Sequence, residues 1–225
     1  MDDRDLIKSK IADYVGASNI SESLTPGGGR TYEVPDGSRY PSVTTVLSAM
    51  QDKTWLKEWK ARVGEEKAKE ITTKACSRGT SMHSLIESSF KGEPLDKEAS
   101  GYRLYKQLRI YLKNIDPLGL EVPLWSHRLK IAGRTDCIGY YKGKLSIIDY
   151  KTSRREKSSE HILNYFHQST IYSMMALERL QIEAKQIVIL IGVDDGLPQE
   201  FIRNVKDYIH EVIGIVDSYH SGARN

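Results

Sequence analysis

Cysteine is nearly missing from this 225-residue chain, which has two, Cys76 and Cys137. Two thiols cannot by themselves form a structural zinc site or hold an iron–sulfur cluster, so no cluster is expected. They read as free thiols of a reduced compartment, with one disulfide as the alternative. Long apolar runs are lacking as well. None approaches the ~20 residues needed to span a bilayer, which excludes an integral membrane protein of the helical kind. No sign of charge dominates. With 33 basic and 30 acidic residues the chain carries +3, too small an excess to point to a polyanionic partner. The acidic start, Met1-Asp2-Asp3-Arg4-Asp5, has no apolar stretch or amphipathic basic arm behind it. Neither a secretory signal nor a transit peptide is expected, and a cytoplasmic location is. Phenylalanine is scarce (3) beside 13 tyrosines, but 39% hydrophobic and 28% charged residues are a globular composition. At about one and a half times the ~150-residue prior, one elaborated domain is expected.

Two parts are expected within it. Residues 1–40 read as an N-terminal helix and a Gly-rich connector, Thr25-Pro26-Gly27-Gly28-Gly29, followed by a short extended piece near Arg30–Val34. The glycines lack the Gly-Lys-Ser/Thr ending of a P-loop. Residues 41–225 read as a single domain, helical over 41–119 and a core over 120–225. Pro41-Ser42-Val43-Thr44 offers a cap before a short helix ending near Met50. Lys53–Ile71 is predicted helical, with Trp55, Trp59 and Val63 as a buried stripe at i, i+4, i+8. Arg78–Phe90 and Asp96–Asn114 are predicted as two more helices, the latter stopped by Pro117 and Gly119. Arg103, Lys106, Arg109 and Lys113 stripe that helix, with Tyr102, Tyr105 and Tyr111 between them. Such a stripe suits single-stranded DNA; the alternative is a solvated face with the tyrosines in the core. From Leu120 the period turns to strands, roughly Leu120–Ile131, Ala132–Tyr140 and Lys144–Lys151. A helix at Ser159–Leu180, a strand at Gln186–Val193, a turn at Asp194-Asp195-Gly196 and a last helix at Asn204–Tyr219 complete an α/β (α+β) domain.

The chemistry concentrates in the meander. With Lys142-Gly143 as a two-residue turn, Tyr141 faces Lys144. The register then places Ile138 opposite Ile147, Asp136 opposite Asp149 and Arg134 opposite Lys151. Alternation puts Asp149 and Lys151 on one face and Tyr150 on the other. Opposed aspartates have Cβ atoms about 4.5–5.5 Å apart and repel. On otherwise apolar strands they need a cation or a shared proton. Carboxylates with further oxygen donors suit Mg²⁺ or Mn²⁺. The alternative is a solvated hairpin with unrelated charges. His83 and Glu87, at i, i+4, share a helical face, as do Gln168 and Tyr172. Either pair alone could be structural.

Taken in order, His83, Asp136, Asp149-Tyr150-Lys151 and Gln168-x-x-x-Tyr172 resemble the PD-(D/E)xK nuclease superfamily in its RecB-like branch. Tyr40-Pro41-Ser42-Val43-Thr44-Thr45-Val46-Leu47, Trp59-Lys60 and Arg78-Gly79 are similar to the mitochondrial genome maintenance exonucleases and their phage and bacterial relatives. The resemblance spans about residues 40–175. It implies a restriction-endonuclease-like core, a mixed sheet with an antiparallel meander flanked by helices, and a Mg²⁺- or Mn²⁺-dependent DNA exonuclease favouring single-stranded ends. His83, Asp136, Asp149 and the backbone carbonyl of Tyr150 would be metal ligands, and Glu87 would reach the site through water or a second metal. Lys151 would hold the attacking water or the charge developing on phosphorus. Gln168, Tyr172, Arg134, Arg78, Arg154 and Arg155 would contact the nucleic acid. The missing presequence favours a phage or bacterial protein. The alternatives are a structure-specific endonuclease or RNase of the same superfamily, and a nucleic-acid-binding accessory with a vestigial centre.

Overall fold

A computed structural model describes residues 3–26 and 28–222; Gly27 of the expected connector lies outside them. Helix α1 (Asp3–Ala17) precedes a small antiparallel sheet of β1 (Ser21–Leu24), β2 (Arg30–Glu33) and β3 (Arg39–Pro41). Ser42 then caps α2 (Val43–Ala49), its hydroxyl accepting from the Thr45 N–H at 3.0 Å. Helices α3 (Thr54–Val63), α4 (Glu65–Lys91) and α5 (Tyr102–Leu112) lead into the main sheet. That sheet is β4 (Ile115–Ser126), β5 (Ile131–Tyr141), β6 (Lys144–Ser153), β7 (Gln186–Val193) and β8 (Gln199–Asn204), in that order. Among these five strands β6 and β7 alone pair in parallel, through the crossover helix α6 (Leu163–Leu180); α7 (Ile209–Ser221) closes the described chain.

Alternation divides the core between the two faces of this sheet. Ile138 and Ile147 pack with α2 and α6, around Val46, Ile171 and Met175. Cys137, Ile148 and Tyr150 pack on the other face with Met82, Leu104 and Leu108 of α4 and α5. Every residue of β7 is buried, so its branched run serves both layers, each side chain worth roughly 1.5–3 kcal/mol. The helix–sheet–helix layering and the mixed sheet are those expected.

Several boundaries differ. Gly64, at φ 85°, breaks the helix expected over Lys53–Ile71, and no break separates it from Arg78–Phe90: α4 runs unbroken through both. A glycine tolerates that left-handed backbone, whereas nothing between Ile71 and Arg78 interrupts helical hydrogen bonding. Asp96–Ser100 forms turns, and α5 starts only at Tyr102. Pro117 and Gly119 sit inside β4 at a bulge instead of ending a helix, a place where a proline's missing N–H is tolerated. β8 was not expected at all; its alternation is masked by the polar pattern Gln199-Glu200-Phe201-Ile202-Arg203.

Two devices fix α4 against the sheet. A Cβ on Gly101 would lie 2.3 Å from the Met82 backbone nitrogen, so the start of α5 meets α4 at backbone contact. Asp194, just after β7, receives Arg78 of α4 at 2.9 Å and Arg103 of α5 at 2.5 Å. His83 is therefore presented from a helix clamped at both of its neighbours.

Candidate metal centre

The expected register holds from Tyr141/Lys144 to Cys137/Ile148, where the β5–β6 ladder ends. Lys142 and Gly143 both have positive φ (49° and 80°), as a primed hairpin turn requires. Asp136 and Asp149 come next, beyond the last ladder pair. Instead of a backbone partner, the Tyr150 N–H donates to Asp136 Oδ2 at 2.8 Å. The strands thus part where the carboxylates stand. The expected pairing of Arg134 with Lys151 is lost with the ladder: Arg134 pairs with Pro123 of β4 and reaches the Ile20 carbonyl at 3.4 Å.

His83 enters this gap from α4. Its Nε2 lies 2.8 Å from the Tyr150 carbonyl oxygen and its Nδ1 3.5 Å from Asp136 Oδ2. The ring stands edge-on to the Tyr150 ring, centroids 5.9 Å apart. The expected ligand carbonyl is accordingly beside the expected ligand imidazole, and an Nε2 proton would bind it.

Asp149 is the buried member of the set, 2% exposed. The Lys151 ammonium sits 2.6 Å from Oδ1 and 2.5 Å from Oδ2, and Gln168 donates from Nε2 to Oδ1 at 3.1 Å. Oδ2 receives no well-directed hydrogen bond. Burial pushes the Asp149 carboxyl above its ordinary range; Lys151 pulls it back and Asp136 pushes it further up. Burial alone would discharge Lys151, yet Asp149 and then Asp136 outweigh it and its pKa rises. The ammonium stays charged, 5.2 Å from the Tyr165 ring centre.

Sequence reasoning missed Glu121. Donor atoms of His83, Glu121 and Asp136 all lie within 4.8 Å of one another. Leu120 pairs with Cys137 and Val122 with Thr135, so Glu121 falls level with Asp136 on the neighbouring strand. Its φ of 48° is a left-handed backbone for a non-glycine residue, a local cost of order 1–3 kcal/mol. The available signal was a lone carboxylate in the run Leu120-Glu121-Val122-Pro123-Leu124-Trp125. Burial, then the Asp136 charge, lifts Glu121 to about 7.

The remaining candidates divide. Glu87, Arg134, Gln168 and Tyr172 line one cleft of about 480 Å³ with His83, Glu121 and Asp136. Glu87 is tied to Lys91 at 2.6 Å, on the rim. Gln168 and Tyr172 are both buried: Gln168 spends its amide on Asp149, and Tyr172 packs so closely on Gly133 that a Cβ there would lie 2.8 Å from its hydroxyl. Arg78 is committed to Asp194. Arg154 pairs with Asp195 at 3.1 Å, and neither it nor Arg155 lines the cleft. The tyrosines of α5 do not form an outward stacking surface. Tyr105 is in the core and the Tyr111 hydroxyl donates to the Pro198 carbonyl at 3.0 Å.

The donor set fits a small divalent cation. Two carboxylates, an imidazole and a backbone carbonyl offer mainly hard oxygen, and Asp149 Oδ2 lacks a well-directed donor. Crowding of Glu121 and Asp136 has a thermodynamic consequence. Glu121 binds its proton more tightly folded (about 7) than at its ordinary 4.5, so the folded state holds more protons and stability falls as pH rises between those values. The loss should be on the order of 2 kcal/mol after solvent screening is allowed for. Metal-free protein should melt lower at pH 8 than at pH 5, Glu121→Gln should remove much of that difference, and Mg²⁺ or Mn²⁺ should restore the loss at pH 8. Identical pH profiles for the two proteins would show that Glu121 carries no such strain.

A model of the PD-(D/E)XK nuclease superfamily matches residues 96–196, a stretch that contains Glu121, Asp136, Asp149, Lys151, Gln168 and Tyr172 but not His83. The chain is 33% identical over 131 residues to mitochondrial genome maintenance exonuclease 1 of Homo sapiens, covering 52% of this chain and 38% of that protein. The Xenopus tropicalis counterpart is 30% identical over 128 residues, covering 52% and 37%. The chain therefore spans less than two fifths of these curated relatives. An exonuclease-named structure from Eubacterium rectale overlaps at a TM-score of 0.41 and 10% identity, over 66% of this chain and 70% of that one, too loosely to bear on function. By family model and curated relatives together, with a mixed α/β fold to match, the chain resembles the PD-(D/E)XK nuclease superfamily.

Proposed function

We propose that this protein is a Mg²⁺- or Mn²⁺-dependent DNA exonuclease that favours single-stranded ends, with residues 41–225 as the nuclease domain and 1–40 joined to it. The observation that carries the reading is the convergence of His83, Glu121 and Asp136 on one cleft, whose wall residue Gln168 holds the buried, lysine-bound Asp149. His83, Glu121, Asp136, Asp149 and the Tyr150 carbonyl would hold the cation. A bound divalent ion polarises the scissile phosphate and lowers the pKa of a water.

The chain's own groups do the rest. Gln168 fixes the Asp149 carboxylate by its amide, and the Tyr150 N–H fixes that of Asp136. Lys151, whose charge Asp149 and Asp136 sustain, would orient the attacking water or neutralise charge gathering on the phosphoryl oxygens. Arg134 and Tyr172, on the wall of the same cleft, would position the strand. Glu87, on the rim with Lys91, would act only through water.

Labelled DNA of different topologies tests this. In Mg²⁺, linear single strands should be degraded readily, blunt duplex poorly, and covalently closed single-stranded circles should resist; chelation should stop all cleavage. Rapid cutting of the circle, absent from an Asp149→Asn control, would make the enzyme an endonuclease of the same superfamily. No cleavage of any DNA with either ion would leave a binding protein.

A further inference from the structure

The spacing of Trp55 and Trp59 predicts a buried stripe, yet α3 has no buried residue and Trp55 is 65% exposed. An indole is among the costliest side chains to leave in water. Both tryptophans face a groove of about 530 Å³ between α3 and α4, walled opposite by Ile71 and ending at Gly79, His83 and Lys151. Gly79 and His83 also line the metal-centre cleft. The groove and the cleft thus adjoin, with His83 between them, Lys151 on the groove side and Asp136 and Glu121 on the cleft side.

Its charge suits a polyanion. Within α3 Lys57, Lys60 and Arg62 stand against Glu58, with Lys53 and Asp52 just before the helix and Glu65 and Glu66 just after it; none of these four basic groups has a carboxylate within 4 Å among the described residues. The groove itself is lined mainly by aromatic and small side chains, with Lys151 at its end and the α3 cations around it; flat aromatic faces flanked by cations bind unpaired bases, which a duplex keeps stacked on one another. We propose that the α3–α4 groove is a stacking track for single-stranded DNA, Trp55 and Trp59 each taking a base of the strand that runs through the metal centre. The inference rests on the nuclease reading for its direction and deepens it, because it locates the preference for unpaired strands on α3 and not on the tyrosines of α5.

Binding in EDTA tests it without cleavage. The chain has three tryptophans, and Trp125 is 4% exposed, so quenching by a bound strand reports mainly on the groove. An oligodeoxythymidylate should quench the full-length protein's fluorescence, and the Trp55→Phe/Trp59→Phe double variant should lose the quench while still binding. Trp55→Ala or Trp59→Ala should each weaken the single strand about tenfold and leave blunt-duplex binding and the melting temperature unchanged, since both positions lie outside the core. Unquenched emission, undiminished affinity in the alanine variants, or an equal loss for duplex would overturn the proposal. So would a dimer of the DNA-free protein that Trp55→Ala dissociates, which would make the groove a contact between copies. A protein that cleaves nothing yet binds single strands through these tryptophans would sink the nuclease reading and keep the track; one that cleaves DNA with no dependence on them would do the reverse.

Discussion

Asp149→Asn is expected to cut turnover by at least about a thousandfold in Mg²⁺, on the order of 4 kcal/mol in the barrier. The amide keeps the volume and can still accept from Gln168 Nε2, so the hydrogen bond at 3.1 Å has a counterpart in the variant. What disappears is the negative charge facing the proposed cation and the counterion of Lys151. A buried ammonium without its partner loses proton affinity, so the variant should be folded, somewhat less stable, and deprived of the melting-temperature rise on adding Mn²⁺. Asp136→Asn should match it in turnover. It should differ in stability, because removing that charge relieves Glu121. Near wild-type turnover in either variant would place the metal elsewhere.

Lys151→Ala should lower turnover about 100- to 1,000-fold, the range for removing one group that stabilises transition-state charge. An ammonium has no lone pair and is not a ligand, so metal binding should survive. The structure adds a second consequence. Lys151 covers both oxygens of Asp149; without it the carboxylate is buried against Gln168 alone, and breaking a buried pair costs roughly 3–5 kcal/mol. The metal-free variant should therefore melt well below wild type, and divalent ion should return most of the difference. Loss of metal binding equal to that of Asp149→Asn would reduce Lys151 to a structural partner of the acid.

The turn Lys142-Gly143 and the apolar alternation around it made the β5–β6 register legible in the sequence, and with it the neighbourhood of Asp136, Asp149 and Lys151. Glu121 was not legible, because its approach depends on pairing β4 with β5 past a bulge, and a bulge shifts register by an amount no local pattern announces. The aromatic positions changed places for a related reason. Periodicity identifies which residues share a helical face, not whether another layer covers it. On α5 a layer does, and Tyr105 is in the core; on α3 none does, and Trp55 is in water. The pairing of Arg78 with Asp194 was not legible either, because the fold brings that acid from a distant turn.

The parallel pairing of β6 with β7 sets when this centre can exist during synthesis. A chain released only as far as β6 already contains His83, Glu121, Asp136, Asp149 and Lys151, but not Gln168 on the crossover helix, nor the β7 strand that flanks Asp149 at Ile189. Parallel neighbours joined by a crossover are long-range contacts and form late. Nascent chains and fragments clipped within α6 would then carry nearly all the candidate groups without the shell that holds them, so that the proposed hydrolytic activity would be licensed only by completion of the sheet.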